Sequence, residues 1–449
     1  MFQRTALQAL RTWATKEERK PLVLRGARQV GKTTLVGLFA KEFDAFINLN
    51  LEEATHAQLF TNSTSFEDML TGIYAKAGIR MDTRRTLIFI DEIQNVPDAV
   101  KSLRFFYEKR PDLHVIAAGS LLESLIENHY SFPVGRVEYM AIHPCTFTEF
   151  LGALGEQILV EQIEQLRVPQ SVHSHVMGLF RKYMIVGGLP EAVARYAKYM
   201  DWVKLNDVFR DLLAGYQEDM EKYAHKEKER DVLRYILNYG WGAAGSRLQF
   251  AKFAGSAYKS TDVGNAFRTL EKALLLELAY PLTSTSFPIL PDTKRSPKLL
   301  WVDTGLVNYV AEMQERLLFT SDTDELWNGS IAEQVVGQEL LGSSTQFGAK
   351  RMFWVRDARN SQAEVDFVYK YRSHLIPIEV KTGDNSRLRS LHQYMAESKE
   401  TIALRAWNGP MTSDTIGLAS GKSYTLYNIP FYYVGQLNRL LEEKYFLLQ

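Results

Sequence analysis

Residues 22–34 read LVLRGARQVGKTT, and this stretch decides the fold of the N-terminal region. The short aliphatic run predicts a buried strand, the glycines at 26 and 31 predict a tight loop, and the residues from Lys32 onward predict a helix. Glycine lets the backbone of such a loop turn its N–H groups towards an anion, and the helix N-terminus adds partial positive charge. The spacing Gly-x-x-x-x-Gly-Lys-Thr in this setting predicts a phosphate-binding loop.

Each residue type in this loop has a predicted role. Lys32 reaches the β- and γ-phosphate oxygens of a nucleotide, and the hydroxyl of Thr33 joins the shell of a Mg²⁺ ion. The sequence therefore predicts that ATP and Mg²⁺ are cofactors. The predicted nucleotide-binding residues are Gly26, Ala27, Arg28, Gln29, Val30, Gly31, Lys32, Thr33 and Thr34.

A second aliphatic run, LIFI at residues 87–90, delivers two acids to the end of a predicted strand. Asp91 is predicted to hold Mg²⁺ and Glu92 to polarise an attacking water, which favours hydrolysis as well as binding. The alternative is a helix N-terminus at which the acids only complement the helix dipole. Ser120 follows a later strand and is predicted to sense the γ-phosphate, with a helix N-cap as its alternative. Arg136 is predicted to neutralise transition-state charge, and an ordinary surface ion pair is its alternative.

Length, charge and cysteine content limit the remaining possibilities. A chain of 449 residues exceeds one ordinary core, so several domains are expected. Lys plus Arg and Asp plus Glu number 53 each, so no overall field draws the protein to nucleic acid or to an acidic membrane. Cys145 is the only cysteine, and no stretch approaches the ~20 apolar residues of a membrane span. These features favour a cytoplasmic protein with no membrane partner.

Four regions of different pattern divide the chain. Residues 1–150 alternate aliphatic strands with helices, which predicts an α/β P-loop NTPase core, a parallel sheet with helices on both faces. Residues 151–235 predict a helical linker or lid. Residues 236–320 contain two short helices and a strand-like wing, which predicts a winged helix. Residues 321–449 begin with a helix and continue with strands, which predicts a second α/β domain.

Six motifs occur together in this chain, and as a set they resemble a prokaryotic family of AAA-type P-loop ATPases with a C-terminal conserved domain of unknown function. They are the loop at residues 26–33, DEIQ at 91–94, AGS at 118–120, GR at 135–136, PCTFTEF at 144–150 and GGLPE at 187–191. The resemblance spans nearly the whole chain, although Ala27 stands where the family often has proline. It implies ATP binding in a bacterial or archaeal cytoplasm, and it implies no particular substrate.

Two neighbouring predicted strands in the last region, EVDFV and PIEVK, carry acids and a lysine. Residues two apart on a strand share a face, so Asp366 is expected beside Glu379 and Lys381. With Glu333 on the preceding helix, these residues resemble the PD-(D/E)xK nucleases, which implies a restriction-endonuclease-like α/β domain. In that chemistry Glu333, Asp366 and Glu379 would hold Mg²⁺, and Lys381 would orient the water that attacks phosphorus. A cross-strand ion pair on a solvated face is the alternative.

Basic residues in the last two regions give a second reason to consider DNA as a partner. They would contact phosphates, although acids lie between them and a solvated surface is the alternative. These residues are Lys252, Lys259, Arg268, Lys272, Arg351, Arg356, Arg359, Arg387 and Arg389.

Three hypotheses about function follow from the sequence. The leading one is an ATPase whose MgATP hydrolysis is coupled to a nuclease-like domain acting on DNA. The second is a nucleotide-gated interaction switch, in which a catalytically inactive nuclease-like domain binds a protein partner. The third is a nucleotide sensor with very slow hydrolysis. The sequence leaves the oligomeric state open, and a homo-oligomer would allow a neighbouring copy to supply an arginine finger.

Overall fold

The computed structural model describes residues 2, 4–119, 133–224, 226–315, 329–358, 363–381 and 388–446. The predicted residues Ser120, Arg359 and Arg387 lie outside the described residues. The chain divides into two compact units. The N-terminal unit comprises Gln3–His143 and Ser344–Gly348, and the C-terminal unit comprises the rest of the chain.

A five-stranded sheet forms the centre of the N-terminal unit, in the order β2-β3-β4-β1-β5 with every neighbouring pair parallel. Strands β1, β3 and β4 are almost entirely buried, because their aliphatic side chains face helices on both sides of the sheet. The sequence prediction missed only β5, whose polar first half lacks the aliphatic signature. The strands are β1 (Leu22–Arg25), β2 (Ala45–Asn50), β3 (Thr86–Asp91), β4 (His114–Ala118) and β5 (Glu138–Ala141).

Among the described residues of the N-terminal unit, five α-helices surround this sheet. The helix that follows the loop begins at Lys32, and the helix that follows β3 has proline in its first turn, where proline costs no hydrogen bond. The helices are α1 (Ala6–Ala14), α2 (Lys32–Phe39), α3 (Ala54–Thr61), α4 (Phe66–Ala77) and α5 (Pro97–Lys109), with 3₁₀ turns at Ala40–Glu42 and Ile93–Asn95.

The segment Ser344–Gly348 lies along the outer edge of β5, far from the rest of the unit in sequence. The N–H of Ala141 donates to the carbonyl oxygen of Thr345 at 2.9 Å. The ring of Phe347 stacks on that of Tyr139 with centroids 5.2 Å apart. The segment therefore covers an edge that would otherwise expose unpaired backbone groups.

The C-terminal unit begins at Pro144, before the predicted boundary at residue 150. The reason is the helix Phe147–Leu154, whose buried residues belong to the core of this unit. The region predicted as a helical linker is helical. The helices are α6 (Phe147–Leu154), α7 (Gln157–Glu164), α8 (His173–Val186), α9 (Pro190–Tyr199), α10 (Asn206–Tyr223), α11 (Glu227–Tyr239), α12 (Ser260–Lys272), α13 (Thr304–Val310), α14 (Ser330–Gly342), α15 (Arg389–Glu397) and α16 (Leu437–Phe446). The 3₁₀ turns are Gln170–Val172, Val203–Leu205, Trp241–Ala243, Phe253–Gly255 and Phe431–Gln436.

A two-stranded antiparallel sheet, β6 (Leu276–Ala279) with β8 (Lys298–Trp301), follows α11 and α12. The sequence predicts two short helices before a wing within residues 236–320. In that range α12 is preceded only by the 3₁₀ turns Trp241–Ala243 and Phe253–Gly255, because α11 ends at Tyr239. The assignment of these elements to a winged helix remains a prediction.

A five-stranded mixed sheet completes the C-terminal unit, in the order β11-β12-β13-β15-β14. The outer pairs are antiparallel and the central ones parallel. Its strands are β11 (Phe367–Tyr371), β12 (His374–Val380), β13 (Ile402–Trp407), β14 (Thr412–Gly417) and β15 (Ser423–Pro430). A smaller sheet contains β7 (Pro281–Leu282), β9 (Phe353–Val355) and β10 (Glu364–Val365).

One expected strand is broken. The sequence predicts a single strand through EVDFV, but β10 and β11 belong to different sheets and Asp366 lies at the bend between them. Among the described residues, no helix has both the length and the apolar character to cross a membrane.

Candidate functional site

The loop between β1 and α2 has the backbone geometry that a phosphate site requires. Gln29 and Gly31 both have positive φ, 67° and 86°, which curls the chain ahead of the helix. A Cβ atom on Gly26 would lie 2.3 Å from the carbonyl oxygen of Ile142. Glycine at position 26 is therefore required by the close approach of neighbouring backbone.

Lys32 is folded into this loop. Its Nζ donates hydrogen bonds to the carbonyl oxygens of Gly26 and Ala27, both at 2.9 Å. Burial lowers the pKa of Lys32 to about 8, although the carboxylates of Glu92 and Asp91 act in the opposite direction. The ammonium group is thus held where phosphate oxygens could replace the two carbonyl partners.

The structure brings the predicted Mg²⁺ residues together. The hydroxyl of Thr33, in the first turn of α2, donates to Oδ2 of Asp91, the last residue of β3, at 2.7 Å. The two residues meet although β4 lies between β3 and β1, the strand that leads to α2. A hydroxyl and a carboxylate oxygen at this place fit Mg²⁺, which takes few protein ligands and completes its shell with phosphates and water.

Glu92 follows Asp91 and is held in an unusual conformation. Its φ of 51° lies in the left-handed region. Burial raises the pKa of its carboxyl group, and a hydrogen bond from Nε2 of Gln94, at 2.5 Å, partly offsets that effect. A partly buried carboxylate with a raised pKa is a better proton acceptor than an exposed one.

Two residues support this site without having been predicted. Gln94 belongs to a quoted motif, but nothing in its spacing indicates the contact with Glu92. The guanidinium of Arg4 donates to the carbonyl oxygens of Val30, at 3.2 Å, and His143, at 2.6 Å. Arg4 thereby fixes the loop from a distant part of the sequence, and no local pattern could have shown this.

Arg136 is not brought to the loop of its own chain. It precedes β5, at the edge of the sheet where the parallel strands begin, whereas the loop follows β1 at the opposite edge. At about 3.3 Å per residue the two edges are roughly 20 Å apart. Its guanidinium pairs with Glu108 at 3.0 Å, which is the surface ion pair weighed as its alternative.

A second group of predicted residues meets in the C-terminal unit. Nζ of Lys381 lies 3.0 Å from Oε1 of Glu379 and 3.8 Å from Oδ2 of Asp366. The same Asp366 oxygen accepts the N–H of Val380 at 2.8 Å. Burial, with the neighbouring Asp366 carboxylate, raises the pKa of Glu379 to about 8. The predicted juxtaposition of these three side chains is therefore present.

Lys298 also belongs to this group, although no motif or spacing in the sequence indicates it. Its Nζ lies 2.5 Å from Oε2 of Glu333 and 3.4 Å from Oε1 of Glu364. It also donates to the backbone oxygen of Asp366 at 3.1 Å. Burial alone would lower the pKa of Lys298, but the surrounding carboxylates outweigh burial and raise it.

These lysines decide whether the second group fits Mg²⁺. Within the described parts of the chain, no three Asp, Glu, His or Cys residues are arranged to hold a metal ion. Lys298 and Lys381 contact the carboxylates of Glu333 and Glu379 directly. The Mg²⁺ site expected from Glu333, Asp366 and Glu379 remains a prediction.

Two of the basic residues proposed to contact DNA are already engaged by acids. Arg351 is buried and lies 3.2 Å from Glu277, and Arg356 lies 2.9 Å from Glu397. Arginines paired in this way have less charge to offer to a phosphate backbone.

The motifs GGLPE and PCTFTEF form a buried polar junction within the C-terminal unit. The carboxylate of Asp303 accepts the N–H of Gly188 at 2.6 Å. Oε1 of Glu339 accepts the N–H of Phe147 at 2.9 Å and the hydroxyl of Tyr183 at 2.7 Å. These motif residues are therefore explained by buried hydrogen bonding within the unit.

Comparison with known families agrees with the nucleotide site. Residues 18–151 match the family described as AAA domain. Residues 177–317 and 328–409 match two families described as domains of unknown function, DUF8612 and DUF4143. The N-terminal unit thus contains a P-loop ATPase domain of the AAA type, as predicted. Such a domain is a nucleotide-binding fold. The nuclease-like character of the C-terminal unit remains a prediction.

Comparison with individual proteins adds little. No curated protein matches the chain. The chain is similar to the Walker-type ATPase of Pyrococcus abyssi, with 15% identity over 69% of this chain and 96% of that one and a TM-score of 0.45. It is also similar to the ORC1 protein of Aeropyrum pernix, solved in complex with DNA, with 11% identity over 68% and 90% of the two chains and a TM-score of 0.27. Because both TM-scores are low, the functional argument depends on the site itself.

Proposed function

We propose that the N-terminal unit binds MgATP and hydrolyses it. The observation that carries this proposal is the contact between Thr33 and Asp91 at 2.7 Å, with the partly buried Glu92 as the next residue. It joins the loop that would hold the phosphates to the strand end that would activate water. A binding-only site would need no proton acceptor at that place.

The chain's own residues supply the steps of this reaction. The backbone N–H groups of the loop and the ammonium group of Lys32 bind and orient the phosphates. Thr33 and Asp91 would hold Mg²⁺, which when bound neutralises charge on the phosphate oxygens. Glu92 accepts the proton of the attacking water, and Gln94 orients its carboxylate. We place this activity in a prokaryotic cytoplasm, as the family resemblance implies.

The test is a comparison of Glu92→Gln with wild type. The variant keeps the shape of the side chain but removes the proton acceptor, so ATP affinity stays near wild type while turnover falls by about 100-fold or more. Glu53→Gln is the matched control, because Glu53 is exposed near the end of the neighbouring strand. Wild-type turnover in Glu92→Gln would contradict the assignment.

In this proposal, Arg136 acts on a nucleotide that is bound by a second copy of the chain. Since it lies at the sheet edge away from its own loop, it would neutralise charge on a nucleotide held by a neighbour. Mixing Arg136→Ala with Lys32→Ala tests this, because one mixed interface contains an intact loop and an intact arginine. Turnover restored on mixing supports the assignment, and a mixture no more active than its components refutes it.

For the C-terminal unit we favour a nucleotide-gated interaction module over a nuclease. The supporting observation is that Lys298, which is not part of the nuclease pattern, contacts Glu333, one of the acids predicted to bind metal. The nuclease-like fold and the winged helix are retained as proposals about architecture, and DNA is the less favoured partner. The test measures ATP turnover with and without duplex DNA and cleavage of labelled DNA with Mg²⁺ or Mn²⁺. Cleavage that is lost in Asp366→Ala/Lys381→Ala would reverse this preference.

A further inference from the structure

The acidic cluster, defined here as Glu333, Glu364, Asp366 and Glu379, contains a fully buried lysine. The side chain of Lys298 is only 1% exposed. A lysine is rarely buried to this extent unless its charge is matched, because removing an unpaired ammonium group from water is very costly. The acids around it are therefore part of what holds Lys298 inside the protein.

Three residues of the acidic cluster contact the ammonium group of Lys298. Its Nζ lies 2.5 Å from Glu333 on α14, 3.4 Å from Glu364 on β10, and 3.1 Å from the backbone oxygen of Asp366. Two carboxylates and a carbonyl oxygen converging on one point are the hard oxygen ligands that a divalent cation would use. The ammonium group occupies that point.

The surroundings leave Lys298 little freedom to withdraw. It is the first residue of β8, which pairs with β6 along its whole length. The rings of Phe353 and Phe367 lie with their centroids 5.0 and 5.3 Å from its Nζ. A cation held between aromatic faces and carboxylates is favoured both by the rings and by the acids.

The neighbouring lysine differs in this respect. Lys381 is 35% exposed and contacts Glu379 and Asp366 from the solvent side. Glu379 is itself 4% exposed, and its Oε2 has no hydrogen-bond partner among the described residues. Glu379 therefore belongs to the part of the acidic cluster that Lys381 contacts, whereas Lys298 lies against Glu333, Glu364 and the backbone oxygen of Asp366.

We infer that the ammonium group of Lys298 occupies the position that a divalent metal ion would take in the acidic cluster. The acidic cluster of the wild-type protein therefore does not bind Mg²⁺ or Mn²⁺. Removing the charge of Lys298 converts this point into a metal site formed by the carboxylates of Glu333 and Glu364 and the backbone oxygen of Asp366. This inference deepens the proposal that the C-terminal unit binds a partner without cutting nucleic acid. It does not depend on ATP turnover.

The test measures binding of Mn²⁺ to full-length, nucleotide-free protein, from the loss of the electron paramagnetic resonance signal of free Mn²⁺. Lys298→Met is the informative variant, because methionine keeps an unbranched apolar chain against the two phenylalanines and removes only the charge. Lys350→Met is the matched control, since Lys350 is an exposed lysine paired with a single acid, Glu271. Lys298→Met/Glu333→Gln shows whether any new binding belongs to the acidic cluster, because Glu333 is the carboxylate nearest to Nζ of Lys298.

In wild type and in Lys350→Met, we expect no Mn²⁺ binding that depends on Glu333, so adding Glu333→Gln should leave the binding of both proteins unchanged. Lys298→Met should bind one Mn²⁺ per chain, at least about 100-fold more tightly, because a repelling charge has become a vacant position. Loss of this binding in the double variant would support the inference. Wild-type Mn²⁺ binding that Glu333→Gln removes would overturn the inference, and so would a folded Lys298→Met that binds no Mn²⁺. Turnover of ATP by the same proteins reports separately on the N-terminal unit.

Discussion

Replacing Gly26 with alanine would place a methyl group 2.3 Å from the carbonyl oxygen of Ile142 and 3.0 Å from Cγ2 of Val30. The oxygen cannot easily move, because the N–H of Ile142 donates to the carbonyl oxygen of Arg25 at 2.7 Å. A carbon and an oxygen that are not bonded rarely approach closer than about 3.3 Å, so the loop must shift by about 1 Å. Overpacking of this kind costs about 1–3 kcal/mol of unfolding free energy.

The same shift would displace the loop relative to Asp91 and Glu92. A misplacement of about 1 Å in a catalytic site lowers the rate by about 100-fold, so Gly26→Ala should lose ATP turnover to that extent. Gly37→Ala is the matched control, because Gly37 lies within α2 with no atom near the added methyl group. Alanine there should stabilise the helix by up to about 1 kcal/mol without lowering turnover.

Urea unfolding and steady-state ATP turnover of both variants would test this reasoning. If Gly26→Ala kept wild-type stability and turnover, the close approach at Ile142 would not constrain the nucleotide loop. If both variants lost turnover equally, the effect would belong to the added methyl group and not to its position.

Three further predictions concern titrating groups. Burial lowers the pKa of Lys32 to about 8, and bound phosphates favour its charged form, so ATP binding should take up protons at about pH 9 but few at about pH 6.5. Calorimetry in buffers of different ionisation enthalpy would measure the number of protons taken up. Equal proton uptake at the two pH values would contradict the prediction. Gln94→Ala removes a hydrogen bond that lowers the pKa of Glu92, so the acidic limb of the turnover–pH profile should move to higher pH while the plateau rate is kept. An acidic limb at the wild-type pH would show that Gln94 does not act on Glu92. Burial raises the pKa of Glu339 to about 7, so the unfolding free energy of wild type should fall as pH rises from the usual glutamate pKa to about 7. Glu339→Gln should lack this fall and be more stable than wild type above pH 7 by up to about 3 kcal/mol. If urea unfolding gave the same dependence of unfolding free energy on pH for both proteins, the raised pKa of Glu339 would be refuted.

The nucleotide site was largely predictable because its signals are local. The spacing from Gly26 to Thr33 and the position of Asp91 after an aliphatic run depend on short stretches of chain, and strand order then brings their side chains together. Arg4 and Gln94 were missed because their contacts depend on tertiary structure. Nothing in the residues around Arg4 indicates that its side chain reaches the loop.

The C-terminal unit shows where prediction from sequence fails. Asp366 was expected within one continuous strand, but the chain bends at that residue and passes from one sheet to another. Lys298 lies on a strand of a different predicted domain from Glu333 and Asp366, so no motif spacing could place it among them. Acids and a lysine in the expected order therefore predicted a metal site, while a distant lysine determines the actual pairing.

The contact between the segment Ser344–Gly348 and β5 also depends on tertiary structure. The segment has a polar and glycine-containing sequence without strand periodicity, and it follows a helix that belongs to the other unit. Its contacts with β5 depend on the fold as a whole, so they could be found only in the structure.

The central claim is that the loop beginning at Gly26 holds the phosphates of ATP through Lys32. Calorimetric titration of MgATP into wild type and Lys32→Ala, with circular dichroism as the check on folding, tests it most directly. Wild type should bind one ATP per chain, and folded Lys32→Ala should show no measurable binding. Equal ATP affinity in the two proteins would contradict the account.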